Sequence, residues 1–410
     1  MTGLVDSPRA AAVLRDGAEA LAAADRLAAR FAERAAERDA HRLLPTEELT
    51  ELSASGLLGI TVPREHGGAD VGTAVVAEVF RRLAAADPNI AQIPQSHIVY
   101  VNVLRHQGTP EQRRFFFAEV LAGRRFGNAQ SEAGTRHVQE YRTRLLPHPD
   151  GGFVLDGLKH YSTGALFAHW IPVLARDADD RVVVAYVPAD APGLTVVDDW
   201  DGMGQRTTAS GSVRLDGVRV PAERVVPHHL TFTGPQLYGA QAQILHAAID
   251  VGIARGALTE AVAFVRTKSR PWFEAGVERA EDDPLTVQRF GELEISVRAA
   301  EALLAEAGRA VDDAAARLAS SGPEASLDEQ AASASIAVAT AKAFADRTAV
   351  DVTSALFEVS GTRSALDQLN LHRHWRNART HTLHDPVRWK VQHIGRYALT
   401  GALPPRHGLI

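Results

Sequence analysis

Two short stretches of this sequence carry the residue types that could hold a flat, polar-edged ligand. The first is FGNAQSEAGT, Phe126 to Thr135, and the second is DGLKHYSTGA, Asp156 to Ala165. Asn128, Gln130 and Ser131 offer amide and hydroxyl groups from the first. Tyr161, Ser162 and Thr163 offer a ring and two hydroxyls from the second. Both stretches are rich in small and β-prone residues with glycines close by, the composition of two strands whose backbones approach a ligand closely. A planar heteroaromatic ring with donors and acceptors round its edge fits between them. A second concentration of chemistry lies near the C-terminus, where His372, His374, His381, His384 and Asp385 crowd together. His381 and His384 are three residues apart, so one helical face can present both. No carboxylate–histidine spacing here matches a metal motif, so no metal site is assigned.

The rest of the chain must position these groups. It has 410 residues, 45% of them hydrophobic and 23% charged, which suits two or three packed lobes of a soluble protein. The formal charge of -6, with no basic run, argues against nucleic acid. The complete absence of cysteine excludes disulfides, thiolate metal sites and a cysteine nucleophile. No signal peptide is evident, and no apolar run reaches ~18 residues, so no membrane span is expected and the cytoplasm is the expected location.

Helical periodicity runs from about Ser7 to Glu37, His41 to Leu58, Thr73 to Ala86, Ile90 to His106 and Pro110 to Leu121. From Phe126 to about Pro227 the period is nearer two, with turn signals such as Asp216-Gly217, which predicts an antiparallel β domain. Helix returns at Gln241 to Thr267, Pro284 to Leu318 and Leu327 to Val359, with a fourth segment beyond Gly361, which predicts a four-helix bundle. The expected domains are therefore residues 1–124 (helical), 125–231 (β) and 232–410 (bundle).

That order resembles the acyl-CoA dehydrogenase superfamily, and several phrases carry the resemblance. LLPTEELTELSASGLLGITVPREHGGADV is similar to the family's N-terminal signature. NAQSEAGT stands where the family has its Ala-x-Thr-Glu flavin strand, and GLKHYSTG where it has Gly-x-Lys-x-Trp-Ile-Thr-Asn. GMGQRTTASGSVRLDGVRVP resembles its closing β motif, RPWF its Arg-x-x-Phe, and WRNARTHTLHDP its Arg-Asp segment. The resemblance implies an α+β fold whose central domain is an antiparallel β-barrel. The departures point to one branch of the superfamily. Asp385-Pro386 replaces the catalytic glutamate and its neighbour, Tyr161 and Ser162 replace the Trp-Ile pair, and Ser360-Gly361 replaces a Gly-Gly that helps to hold the adenylate of FAD. These changes resemble the branch of dibenzothiophene monooxygenase and the sulfur-acquisition oxidoreductases.

The branch implies a flavin monooxygenase. Its cosubstrates are O2 and reduced FMN, with FAD the alternative, delivered by an NAD(P)H-dependent flavin reductase that associates transiently. Oxygen addition at the flavin C4a carbon gives a hydroperoxide that oxygenates a small organosulfur compound. The Gly202-Met203-Gly204 run is not a dinucleotide fingerprint, since position 207 is threonine and no βαβ unit follows, so the chain is not expected to reduce its own flavin. By the same resemblance, Asn128, Gln130, Ser131, Tyr161, Ser162 and Thr163 hold the isoalloxazine. Arg270, Phe273 and Arg363 serve its phosphate from a neighbouring subunit of a homotetramer. His97, Ser162, His381 and His384 lie at the oxygen-reacting edge. Two other readings stay open: an acyl-thioester dehydrogenase with Asp385 as base, and a flavin-binding protein without turnover.

Overall fold

The computed structural model describes residues 11–320 and 324–410. Its N-terminal part is helical: α1 (Gly17–Ala32), α2 (Ala35–His41), α3 (Thr46–Ala54), α4 (Thr73–Ala86), α5 (Pro88–Gln92), α6 (Gln95–Gln107) and α7 (Pro110–Leu121). The first expected helix begins outside the described residues and is divided at residues 33–34. The expected Ile90–His106 helix is interrupted at Ile93 and Pro94, because proline restricts the residue before it and lacks the N–H that would continue the ladder. Thr109 and Gln112 cap α7 reciprocally, each side chain accepting from the other's backbone N–H.

The central strands are β1 (Arg144–Pro147), β2 (Phe153–Lys159), β3 (Trp170–Arg176), β4 (Val182–Pro188), β5 (Leu194–Val197), β6 (Ser212–Val220) and β7 (Val225–Val226). They form one sheet in the order β5-β6-β2-β1-β3-β4-β7. The sequence expectation of an antiparallel barrel needs correction on two counts. The sheet is mixed, because β1 and β3 run parallel at Arg144 and Arg176. It is also open, since no pairing joins β5 to β7 among the described residues. The cause is the segment after Lys159. It does not hairpin back beside β2 but carries the chain past β1, so β3 arrives on the far side of that strand.

The C-terminal part contains α8 (Tyr238–Lys268), α9 (Pro284–Leu318), α10 (Glu324–Ser360), α11 (His372–His381) and α12 (Val387–Thr400). Helix α8 packs on α10, α9 and, from the N-terminal part, α4. Twenty of its residues are buried, from Gly239 to Val265, which explains why its sequence lacks a clear polar face. The expected fourth bundle helix is instead the pair α11 and α12, separated by Thr382–Pro386. Proline at 386 again disfavours helix at the residue before it. No helix among the described residues is long and apolar enough to cross a membrane.

One buried ion pair ties the Phe126–Glu132 arm to the sheet. Lys159 ends β2 with no solvent exposure, and its Nζ donates to Glu132 Oε1 at 2.6 Å and to the Gln130 carbonyl at 3.1 Å. The same carboxylate accepts from Thr143 Oγ1 and from the backbone N–H groups of Arg142 and Thr143. Burial pulls the Lys159 ammonium down to about 8, against the opposing pull of Glu132. Replacing Lys159 by Ala strands the carboxylate and is expected to cost about 3–5 kcal/mol. Urea unfolding measures this, and a loss below ~1 kcal/mol would show that the pair does not hold the arm.

Candidate active site

The arm from Phe126 to Ser131 is not a regular strand, as its sequence implied. It runs beside β3 with two isolated parallel bridges, Phe126 to Trp170 and Ala129 to Val173. The other half of the cradle is a turn rather than a strand. Tyr161 sits at φ 55° with its ring exposed, and Gly164 at φ 75°, a left-handed backbone that favours glycine. A Cβ on Gly164 would also come within 3.2 Å of Ile93, so the turn lies directly against the end of α5. His160 donates its N–H to the Ser131 carbonyl at 2.8 Å, and a Cβ on Gly127 would lie 2.8 Å from Cα of Ala165. The two halves are therefore in contact, as the sequence expectation required.

Within this cradle the polar side chains divide into used and unused. Thr163 Oγ1 hydrogen-bonds Ser210 Oγ at 2.7 Å, and Ser210 in turn meets Thr208 at 2.8 Å. Asn128 makes only long contacts, with its Nδ2 donating to the Tyr161 carbonyl and its Oδ1 accepting from Tyr100, both at 3.5 Å. Gln130 bonds the Tyr141 hydroxyl. Ser162 differs from all of these. It is fully buried, its N–H donates to the Gly211 carbonyl, and its hydroxyl has no partner. A buried hydroxyl without a protein partner is costly unless water or a ligand meets it.

Helix α11 is held on several sides. Arg376 pairs with Asp39 of α2, Arg373 pairs with Glu260 of α8, and His374 meets the same carboxylate at 2.7 Å. Asn377 Oδ1 accepts the Gln205 N–H at 2.7 Å. His372 faces Asp367 at 3.0 Å, so these two histidines serve separate carboxylates. The anchored helix then presents His381, which is buried, with Nδ1 2.6 Å from Asp250 Oδ1. Its Nε2 lies 3.1 Å from both Gln92 Oε1 and His246 Nδ1. The ring of His246 lies against that of His384, tilted by 35° with the centroids 3.9 Å apart. His384 is exposed, yet burial among protein atoms lowers its imidazole to about 4, so the ring lines a recess rather than the outer surface. His381 is pushed down to about 3 by burial and then by Lys342. All three rings are neutral at physiological pH.

Ile93 touches Gly164 while the adjacent Gln92 touches His381, so α5 joins the cradle to the imidazole cluster. His97 is not part of that cluster. Its Nε2–H donates to the Leu58 carbonyl at 3.0 Å, and its Nδ1 accepts the Phe126 N–H at 3.0 Å. Both ring nitrogens are committed to backbone and neither is free for a reacting group, contrary to the sequence expectation. Its role is to fix the start of the arm. Asp385 is likewise committed, with Oδ2 2.6 Å from Lys390 Nζ and Oδ1 3.9 Å from Lys342 Nζ. Burial alone would raise its pKa, but the two ammoniums outweigh it and hold the carboxylate below its usual range. That makes Asp385 a poor proton-abstracting base.

Comparison with known proteins agrees with this architecture. Three family models match in order: acyl-CoA dehydrogenase N-terminal domain at residues 17–124, middle domain at 126–218 and C-terminal domain at 244–389. Dibenzothiophene monooxygenase of Rhodococcus erythropolis is 34% identical over 95% of this chain and 96% of its own length. The chain belongs to the acyl-CoA dehydrogenase family. A second member, the probable FMNH2-dependent monooxygenase SfnC of Pseudomonas putida, is 32% identical over 94% of this chain and 96% of its own length. A solved member, FMN-bound TdsC from Paenibacillus sp. A11-2, superposes with a TM-score of 0.88 at 32% identity, covering 95% of this chain and all of the other.

Among acyl-CoA dehydrogenase family members a flavin is the group to test against the site, and the residues fit one. The orphaned Ser162 hydroxyl, the exposed Tyr161 ring and the loosely held Asn128 amide converge on one turn. Arg270, Phe273 and Arg363 do not join them within the chain. They are exposed where the C-terminal ends of α8 and α10 meet, with Arg363 donating to the Lys268 carbonyl at 3.4 Å. Phe273 is 79% exposed and its ring lies 4.9 Å from that of Trp272. Sequence reasoning missed His246, Asp250 and Lys342, whose positions in long helices look like ordinary polar interruptions.

Two substitutions separate ligand-directed from structural groups. Ser162→Ala removes a hydroxyl that has nothing to lose, so the urea midpoint of the flavin-free protein is expected to stay or rise. His97→Ala leaves the Leu58 carbonyl and Phe126 N–H unpaired, at a cost of about 2–5 kcal/mol. Equal losses in the two variants would contradict this division.

Proposed function

We propose that this chain is a two-component flavin monooxygenase that takes reduced FMN from a separate NAD(P)H-dependent reductase and uses O2 to oxygenate a small organosulfur compound. The observation that carries the reading is the buried, unpartnered Ser162 hydroxyl, at a turn that α5 links to the neutral imidazole cluster of His246, His381 and His384. When bound, reduced FMN supplies the electrons that activate oxygen.

The chain's own residues do the rest. Ser162 Oγ donates to the flavin edge, with Asn128, Gln130, Ser131 and Thr163 offering further polar contacts and Tyr161 a ring face. The His384 ring, neutral and without a protein hydrogen bond among the described residues, holds or gives a proton at the oxygen-reacting side. The buried Ala165, Leu166, Phe167 and Ala168 keep water from that edge. Arg270 and Arg363, with Phe273, reach the FMN phosphate of a neighbouring copy, as the exposed corner of α8 and α10 permits, in a homotetramer. An Arg fork matches a phosphate bidentately.

Photoreduced FMN, O2 and dibenzothiophene supplied to the purified protein are expected to give a sulfur-oxygenated product. His384→Ala should lower product per FMN consumed by on the order of 10²-fold, with hydrogen peroxide formed instead. An unchanged yield removes His384 from the role. Arg270→Ala should weaken FMN binding by roughly 10- to 100-fold, the loss of one charge-assisted contact. An unaltered dissociation constant would place the phosphate elsewhere.

A further inference from the structure

Behind His384 lies more ionisable chemistry than oxygen activation by one imidazole requires. We propose that Asp250, His381 and His246 form a proton chain that delivers a proton to the recess lined by His384, a role that rests on the monooxygenase reading above. The chain is continuous. Asp250 Oδ1 lies 2.6 Å from His381 Nδ1, and His381 Nε2 lies 3.1 Å from His246 Nδ1. The far nitrogen of His246 has no protein partner among the described residues, and its ring lies tilted against that of His384. Gln92 Oε1, also 3.1 Å from His381 Nε2, steadies the middle ring in one of its two tautomers.

Burial decides how such a chain can work. Neither His246 nor His381 accepts a full positive charge readily, since burial drives both far below the ordinary histidine range. A stepwise relay through an imidazolium is therefore disfavoured, and a concerted one is not. In the loaded state Asp250 is protonated, His381 carries its proton on Nε2, and His246 carries its proton on Nε2. When His246 gives its Nε2 proton to the oxygen atom that leaves as water, the His381 Nε2 proton moves to His246 Nδ1 and the Asp250 proton moves to His381 Nδ1. Both rings end neutral with Nδ1–H, one proton has left, and the only new charge is the Asp250 carboxylate.

That charge falls beside a counter-ion already in place. Lys342 Nζ is fully buried, 3.4 Å from Asp250 Oδ2 and 2.7 Å from Asp346 Oδ1. Asp346 is the reservoir's second carboxyl, within hydrogen-bonding reach of Asp250. Burial, and then the Asp250 charge, push it up to about 8, and burial raises Asp250 as well, so the two carboxyls share a proton that passes from Asp346 to Asp250 in the loaded state. The remaining groups that face the chain are Asp385 and Lys390, paired with each other at 2.6 Å, and neutral His384. The reaction has a use for the proton. Reduced FMN as its monoanion, O2, a sulfur compound and one proton balance to FMN, the oxygenated sulfur compound and water. The same chain run in reverse, from the His384 side, reloads the acid pair between turnovers.

The test begins with flavin-free protein carrying nitrogen-15 histidine. Across the neutral-to-alkaline range, His381 and His246 are expected to exchange tautomers together, in one transition, without either becoming charged. Asp250→Asn should abolish the exchange in both rings. Independent behaviour of the two rings, or a His246 signal indifferent to Asp250→Asn, overturns the proposal. Because Asp250→Asn disturbs the Lys342 ion pair, His246→Gln provides a second arm. In the wild type, product per reduced FMN should fall about tenfold for each pH unit above the transition, as the acid pair empties. His246→Gln should lose that pH dependence, and retention of it also overturns the proposal. Coupled exchange in a protein that makes no oxygenated product would sink the oxygenase reading and leave the chain standing. Product without coupled exchange would sink the chain alone.

Discussion

A lysine ammonium with no access to water sets the layout of the catalytic half of this molecule. Lys342 sits on α10 among Asp250 from α8, Asp346 one turn along its own helix, and Asp385 from the segment after α11. A charge so placed is tolerable only when it is paired, because the penalty for burying an isolated ion amounts to several kcal/mol even after relaxation. Burial works against the ammonium, but its acidic neighbours outweigh that and hold its pKa above the ordinary lysine value. Helices α8 and α10 and the 382–386 segment must therefore meet in one register. That register puts Asp250 under His381 and sets His246, one turn earlier on α8, against both His381 and His384.

The cluster and the cradle complement each other physically. The cradle offers a buried hydroxyl without a protein partner, at a turn beside the arm that Lys159 and Glu132 tie to the sheet. The cluster offers imidazoles that burial keeps neutral, so they can donate or accept a hydrogen bond without presenting a fixed charge. Oxygen activation by a reduced flavin needs this combination, since a dry pocket preserves reactive species and preset dipoles stabilise charge as it develops. A dehydrogenase needs a free carboxylate base instead, and the carboxylate at that position is held by Lys390 and Lys342.

Much of this was legible in the sequence, for identifiable reasons. Thr73–Ala86, Pro110–Leu121 and Pro284–Leu318 carry clean starts and stops, and their helices end where the sequence says. His381 and His384 share a stretch whose phrases resemble known flavoproteins. What escaped depends on distant partners. His97 looks like a reactive histidine, but its fate is decided by backbone groups at Leu58 and Phe126. The parallel pairing of β1 with β3 is a single contact, Arg144 to Arg176, between strands of ordinary composition. Lys342 lies in an alanine-rich helix where a surface lysine would be unremarkable, and only its partner 92 residues away reveals its burial. His246 and Asp250 are hidden likewise in α8, because nearly every face of that helix is covered.

In the proposed function the oxygen placed on substrate comes from O2, activated beside Ser162 and the neutral imidazoles. The most direct measurement supplies reduced FMN and an organosulfur substrate to the protein under oxygen-18 gas and weighs the product by mass spectrometry. One labelled oxygen in each product molecule is the expected result. Product whose added oxygen comes from water, or oxygen consumption that ends wholly in hydrogen peroxide at every substrate concentration, would contradict it.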